Sequence, residues 1–271
     1  MKLGITGFPP LTFRTLSMWL GMPVLWVAAR AVKVPLTIRR SDWRELGVLA
    51  LTNMVIWHVL AITSLAVLSS GRAAILGYTM PIFSALWGVA LFGERLRTRQ
   101  IAGVSAAALG VALLLWHELA HLAGRPWGAF GMLLAAAVWA LGTQQLRRTR
   151  IAAPTLAIVF WMTLITTVVM TMLALAIEPG RWRVPDRVVW GAVAYNAVLV
   201  FGFAQPLWLL MARRMPPVAS SLSVMLIPVL GTASGAWWLH EALHWQDFAA
   251  MLLMVAAIGS VLWPGRAPAA A

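Results

Sequence analysis

Nine apolar stretches divide this chain, each of about the length that a helix needs to cross a bilayer. The connections between them are short, and the residues are 61% hydrophobic and only 11% charged. Because a soluble domain is about half apolar and about a quarter charged, this much apolar surface exceeds what a soluble core could bury. We therefore predict an all-α membrane protein with helices near residues 11–31, 44–68, 71–92, 98–116, 128–146, 154–177, 188–211, 217–239 and 247–263.

Basic residues gather in alternate connections, fourteen on one side of the predicted membrane and six on the other. Arg14 lies near the start of the first stretch, and its side chain is expected to reach the interface. Since Lys and Arg are enriched in cytoplasmic loops, the C-terminus is predicted to be cytoplasmic. The net charge of +13 then reflects topology and not a nucleic-acid partner, because no basic face long enough to follow a phosphate backbone is left. The absence of cysteine excludes disulfides and thiolate metal sites.

A shift of 147 residues superposes Pro81 on Pro228 and Glu94 on Glu241. We interpret this match as a duplication, with one repeat in residues 1–126 and the second in residues 127–271. The second repeat starts with an apolar stretch whose counterpart in the first would precede the chain's opening residues. The expected unit is five helices, of which the first is largely missing here, leaving about nine complete helices. An odd number of helices per repeat inverts the second copy across the membrane.

Several short motifs follow one another along the chain: GFPPLTFR (7–14), SSGRAAIL (69–76), a proline followed by GERL (81 and 93–96), WALGT (139–143) and EAL (241–243). This set resembles the EamA-like drug/metabolite transporters. The resemblance implies ten helices in two inverted five-helix repeats, a multi-pass location in the bacterial inner membrane, cytoplasmic termini and movement of small metabolites. With its many tryptophans the chain is most similar to the family's amino-acid exporters, including the aromatic ones.

All eight carboxylates fall at or beyond predicted helix ends. Carboxylates buried inside a membrane are the usual proton carriers of pumps, so their absence from the helix interiors favours a facilitative carrier. It also favours a neutral or zwitterionic small-molecule substrate. The alternative is that His58 is protonated during the transport cycle and couples transport to a proton gradient. We expect no cofactor and a carrier that functions as a monomer in the lipid bilayer.

His58 and Gln205 are related by the same shift of 147 residues. In inverted repeats they should face one shared centre, which makes them the first predicted substrate contacts. The alternative is that each side chain only bonds a neighbouring helix. Five further candidates are polar or aromatic residues inside the predicted helices: Tyr78, Trp139, Trp57, Asn53 and Ser221.

Pro81 and Pro228 are predicted hinges. A proline inside a helix frees a carbonyl and bends the helix. Helices interrupted at matching places in both repeats are typical of transporter binding sites. The alternative is a static kink that neighbouring helices fill.

Two segments, 117–121 and 240–244, match the HExxH pattern of zinc peptidases, which puts two imidazoles and a general base on one helix face. Neither has an evident third ligand, and Glu241 is already explained as the repeat partner of Glu94. We therefore predict no metal site and no enzyme. The prediction is a carrier that exports amino acids by alternating access, with a zinc peptidase or an exporter of another small metabolite or drug as alternatives.

Overall fold

The computed structural model describes residues 2–68, 76–116, 126–215 and 245–262, together with Ala73, Ile227 and Leu230. All regular structure in these residues is helical, which confirms the predicted all-α fold. We number the helices in chain order: α1 (Lys2–Ile5), α2 (Pro10–Ala31), α3 (Arg40–Val67), α4 (Met80–Phe92), α5 (Thr98–Trp116), α6 (Pro126–Arg147), α7 (Thr155–Ile177), α8 (Arg187–Arg214) and α9 (Trp245–Leu262).

Four helices, α3, α6, α7 and α8, are long and apolar enough to cross a membrane, and α4, α5 and α9 contain shorter apolar stretches. The predicted helices end within a few residues of the observed ones, except at α4. There, Ala73, Leu76 and Gly77 are helical, a turn at Tyr78 and Thr79 interrupts the predicted stretch 71–92, and α4 begins after the turn at Met80. Apart from Ile227 and Leu230, the predicted helix 217–239 lies outside the residues described, and so do Ser221, Pro228 and both HExxH segments.

Both α3 and α8 contain a π-helical segment, at Leu51–Val55 and at Asn196–Ala204. The Ile56 N–H donates to the Leu51 carbonyl, five residues back, and the Gln205 N–H does the same to the Val200 carbonyl. A shift of 147 residues places the first segment on 198–202, inside the second. Because π turns redirect the side chains around them and often occur at functional sites, these two segments are candidate parts of the functional site.

Glycines on α6 let α3 pack closely against it. A Cβ at Gly142 would lie 2.7 Å from Asn53 Nδ2, and one at Gly131 would lie 2.8 Å from the Ser64 hydroxyl. The later glycine, Gly142, faces the earlier residue of α3, Asn53, and the earlier glycine, Gly131, faces the later residue, Ser64. The two helices therefore run antiparallel. Small residues allow such close approach between membrane helices.

A second close crossing joins α2 to α8. A Cβ at Gly21 would lie 2.8 Å from Phe201 Cβ, and one at Gly202 would lie 2.5 Å from a methyl group of Val24. The crossing holds Phe201 of α8 against α2. Helices α5 and α9 form a separate pair, which packs around a cluster of Ala107, Val111, Met254 and Ala257.

Helix α4 ends at Gly93, whose φ of 63° lies in the left-handed region that favours glycine. The Glu94 N–H then returns to the Gly88 carbonyl, which places the Glu94 carboxylate beside α6. There it pairs with Arg148 and, at 3.6 Å, with Arg147. The reversal at Gly93 thus joins the ends of α4 and α6 through an ion pair.

Candidate functional site

The expectation that Arg14 reaches the interface is wrong. The structure exposes only 1% of this residue, which makes it the largest fully buried side chain among the described residues. It lies one turn inside α2, and its guanidinium carbon is 5.6 Å from the centre of the Phe201 ring. Arg14 is buried because α3 and α8 pack against α2. The sequence pattern of one helix does not reveal such packing between helices.

His58 of α3 is also buried, with 3% of the residue exposed. Its ring meets Phe201, the residue that Arg14 also faces, edge-on at 5.5 Å between centroids. Neither ring nitrogen has a hydrogen-bond partner within the part of the chain that the structure describes. A buried imidazole with both nitrogens unbonded has polar capacity to offer to a ligand.

Three half-buried indole rings form a row from α3 through α6 to α8. The Trp57 and Trp139 rings are 4.5 Å apart, and the Trp139 and Trp208 rings are 5.3 Å apart. The structure thus brings together the predicted residues Trp57 and Trp139. Trp208 was not predicted; its one sequence signal is its place three residues after Gln205. We call Trp57, Trp139 and Trp208 the tryptophan row.

Two buried asparagines lie on α3 and α8, each in a π-helical segment. The Asn53 amide donates to the Leu49 carbonyl, and the Asn196 amide donates to the Ala192 carbonyl. Neither side-chain oxygen accepts a hydrogen bond from the described residues. Asn53 was predicted as a site residue, and Asn196 repeats its pattern on α8.

The other predicted site residues lie further apart. Gln205 is half-buried and is the first residue after the π-helical segment of α8. Tyr78 packs on the α5–α9 cluster. Pro81 is in the first turn of α4, so the chain is interrupted before it by the Tyr78–Thr79 turn and is not bent at a mid-helix proline. Its role as a hinge stays a prediction.

Metal ligation has no candidate site in the described ranges, where no group of three or more His, Asp or Glu side chains lies together. Chemically, the arrangement offers a buried cation, an imidazole, two amide oxygens and aromatic faces. Such a set can hold a small molecule by hydrogen bonds at one end and by stacking at the other.

Comparison with known proteins gives a consistent result. A family model described as the EamA-like transporter family matches residues 1–116 and 126–263. The aromatic amino acid exporter YddG of Ancylobacter novellus is 26% identical, over 83% of this chain and 81% of its own. The probable amino-acid metabolite efflux pump of Escherichia coli strain K12 is 24% identical, over 94% of this chain and 86% of its own.

A third relative, the uncharacterized transporter YoaV of Bacillus subtilis strain 168, is 21% identical, over 89% of this chain and 83% of its own. A crystal structure matches with a TM-score of 0.76 and 23% identity, covering 96% of this chain and 90% of that one. This structural likeness shows a shared fold.

Proposed function

This chain belongs to the EamA-like transporter family, and from that premise we propose that it exports small neutral or zwitterionic metabolites, principally amino acids including aromatic ones. Membership makes it a membrane-embedded transporter with a small-molecule substrate and not a peptidase. The names of two relatives, an amino-acid metabolite efflux pump and an aromatic amino acid exporter, support the choice of amino acids.

The tryptophan row is the observation that carries this proposal. Indole faces stack well on planar or apolar groups, and the three half-buried rings come from three helices on both sides of the repeat boundary. His58, adjoining Trp57 on α3, puts at the same level of the bundle an imidazole that has no hydrogen-bond partner among the described residues. An amino acid has both parts that such a site recognises, a polar head and a side chain.

Transport by alternating access and without proton coupling completes the proposal. The π-helical segments of α3 and α8 supply matched weak points in the helices that carry His58 and Gln205. The five carboxylates whose side chains the structure describes lie at or beyond helix ends: Asp42, Glu45, Glu94, Glu178 and Asp186. None of these five is placed as an intramembrane proton carrier would be.

Counterflow in proteoliposomes tests the function. Vesicles preloaded with phenylalanine should accumulate labelled phenylalanine faster than empty ones, with saturation, and the rate should not change when a pH gradient is imposed. A rate that depends on the gradient would replace the facilitative mode by proton coupling. If phenylalanine, leucine and threonine all fail while another metabolite or a drug exchanges, amino-acid export is wrong.

We propose the bacterial inner membrane as the location, with a cytoplasmic C-terminus and a monomer as the working unit. The cysteine-free chain makes the orientation easy to test, because an introduced cysteine is the only thiol to label. Two exposed positions suit this test, Ser41→Cys in the first turn of α3 and Arg183→Cys between α7 and α8. A membrane-impermeant maleimide should label Arg183→Cys in intact cells and Ser41→Cys only in inverted vesicles; the reverse result contradicts the orientation.

A further inference from the structure

We propose that a cleft between the ends of α2, α7 and α8 binds the phosphate of an anionic phospholipid. The cleft has a volume of about 590 Å³ and shares no residue with the candidate substrate site. Its lining comes from three places: Val32 and Val34 after α2, residues 154–156 at the start of α7, and Leu210, Arg213 and Arg214 near the end of α8. The site would give the transporter a lipid ligand whatever its cargo is.

Arg213 is a cation that the fold holds in place. Its Nη1 donates to the Ala153 carbonyl at 2.8 Å and to the Thr155 hydroxyl at 3.1 Å. Its Nη2 donates to the Ile151 carbonyl at 2.9 Å. All three acceptors are neutral, and within the described residues they use three of the five N–H donors of the guanidinium. The full positive charge and two donors therefore remain for an anion, on a side chain that is already ordered.

No carboxylate compensates the charge of the cleft within the described part of the chain. None of the lining residues is acidic, and neither Arg213 nor Arg214 forms an ion pair with a described residue. The three described carboxylates at this end of the bundle have other partners: Asp42 accepts from the Ser41 hydroxyl, Glu45 accepts from the Thr149 hydroxyl and the Arg150 N–H, and Glu94 pairs with Arg147 and Arg148. Basic residues outnumber these carboxylates in the same connections, so the cleft has a positive potential.

The start of α7 adds a partial positive charge to the same cleft. Its N-cap, Pro154, provides no side-chain cap, and the Thr155 hydroxyl is the acceptor of Arg213. The first N–H groups of a helix have no partner within the helix, and they lie at the positive end of its dipole. Together with the two arginines, this helix start favours a phosphate over a neutral group.

The apolar part of the lining favours a phospholipid over a soluble phosphate. Val32, Val34, Leu156 and Leu210 line the cleft together with the arginines. Helices α7 and α8 are candidate membrane spans, so their ends lie where lipid headgroups meet acyl chains. Basic pockets between membrane helices on the cytoplasmic side bind anionic headgroups, and the proposed orientation of the chain puts this cleft on that side.

Native mass spectrometry of the full chain in detergent tests the site with two lipids that share their acyl chains. Dioleoyl phosphatidylglycerol carries one negative charge, and dioleoyl phosphatidylcholine is neutral overall. We expect phosphatidylglycerol to bind about 10- to 30-fold more tightly, the gain that two arginines near the surface imply. Equal dissociation constants for the two lipids overturn the proposal. Inorganic phosphate in millimolar excess should not displace phosphatidylglycerol; displacement would assign the cleft to a soluble anion and overturn the lipid site.

Two matched variants separate the cleft from the general surface charge. Arg214→Gln removes an exposed cation of the cleft whose side chain has no bond to a described residue, so the fold should be kept. The preference for phosphatidylglycerol should fall about 5-fold in this variant. Arg97→Gln removes the same charge from an exposed position between α4 and α5, outside the cleft, and should keep the preference. Equal losses in the two variants would show that the lipid follows the charge of the whole surface, and this result overturns the site.

Discussion

Glu178 accepts a 2.9 Å hydrogen bond from the backbone N–H of Leu11, which ties the end of α7 to the start of α2. Its second oxygen accepts from both the N–H and the hydroxyl of Thr12. The carboxylate is 2% exposed and satisfies two of the N–H groups that a helix start leaves unbonded. Its negative charge also lies at the positive end of the α2 dipole.

Replacing Glu178 should therefore destabilise the protein more than its position at a helix end suggests. We expect Glu178→Ala to cost about 2 kcal/mol or more, because two buried N–H groups lose a charged acceptor. Glu178→Gln keeps one carbonyl oxygen and should lose less. Thermal unfolding of the detergent-solubilised protein measures both, and equal Tm values for wild type and Glu178→Ala would contradict this role.

Gly142 provides a second test, of the close contact between α3 and α6. A methyl group there would lie 2.7 Å from Asn53 Nδ2 and 2.8 Å from the Thr52 carbonyl carbon, so the helices must separate to admit it. We expect Gly142→Ala to lower stability by about 1–3 kcal/mol through overpacking. Gly191→Ala is the matched control.

At Gly191 no atom lies within 4 Å of an added Cβ. Alanine favours a helix over glycine by about 1 kcal/mol, so this control should raise Tm slightly. A Gly142→Ala variant as stable as the control would show that α3 and α6 are not held at this distance.

The helices themselves were predictable because apolar length is a local property. The start of α4 was not, because the Tyr78–Thr79 turn is stabilised by a bond from the Thr79 hydroxyl to the Leu76 carbonyl and puts Pro81 at a helix start. Proline is well tolerated in a first helical turn, so Pro81 is compatible either with a kink inside a helix or with the start of one. Sequence alone does not separate these two outcomes.

The site was predictable only in part, for a related reason. His58, Asn53, Trp57 and Trp139 stood out as polar or aromatic residues inside apolar helices. The prediction for Arg14 was wrong, since a residue near a helix end can either reach the membrane interface or be buried by a neighbouring helix. The register between α3 and α6 that stacks Trp57 on Trp139 depends on contacts between residues more than 80 positions apart.

Trp57 and Trp139 should be coupled energetically if their stacking is part of the site. A double-mutant cycle with Trp57→Leu and Trp139→Leu should give an interaction energy of about 0.5–1.5 kcal/mol in unfolding, the usual value for aromatic pairs. The same variants should weaken phenylalanine counterflow more than leucine counterflow. Additive losses in Tm, with no change in this selectivity, would show that the two rings only fill space.

Glu94 should prove structural, although it marks the sequence repeat. Its ion pair with Arg148 is partly open to solvent, with side-chain exposures of 22% and 34%, so Glu94→Gln should cost about 1 kcal/mol or less. Gln144, buried beside it, donates to the Ser84 carbonyl and accepts from Arg148, and Gln144→Leu should cost about 1–3 kcal/mol because these groups lose their partner. Both variants should retain counterflow at temperatures below their Tm. A Glu94→Gln protein with unchanged Tm and no counterflow would instead place this carboxylate in the transport cycle.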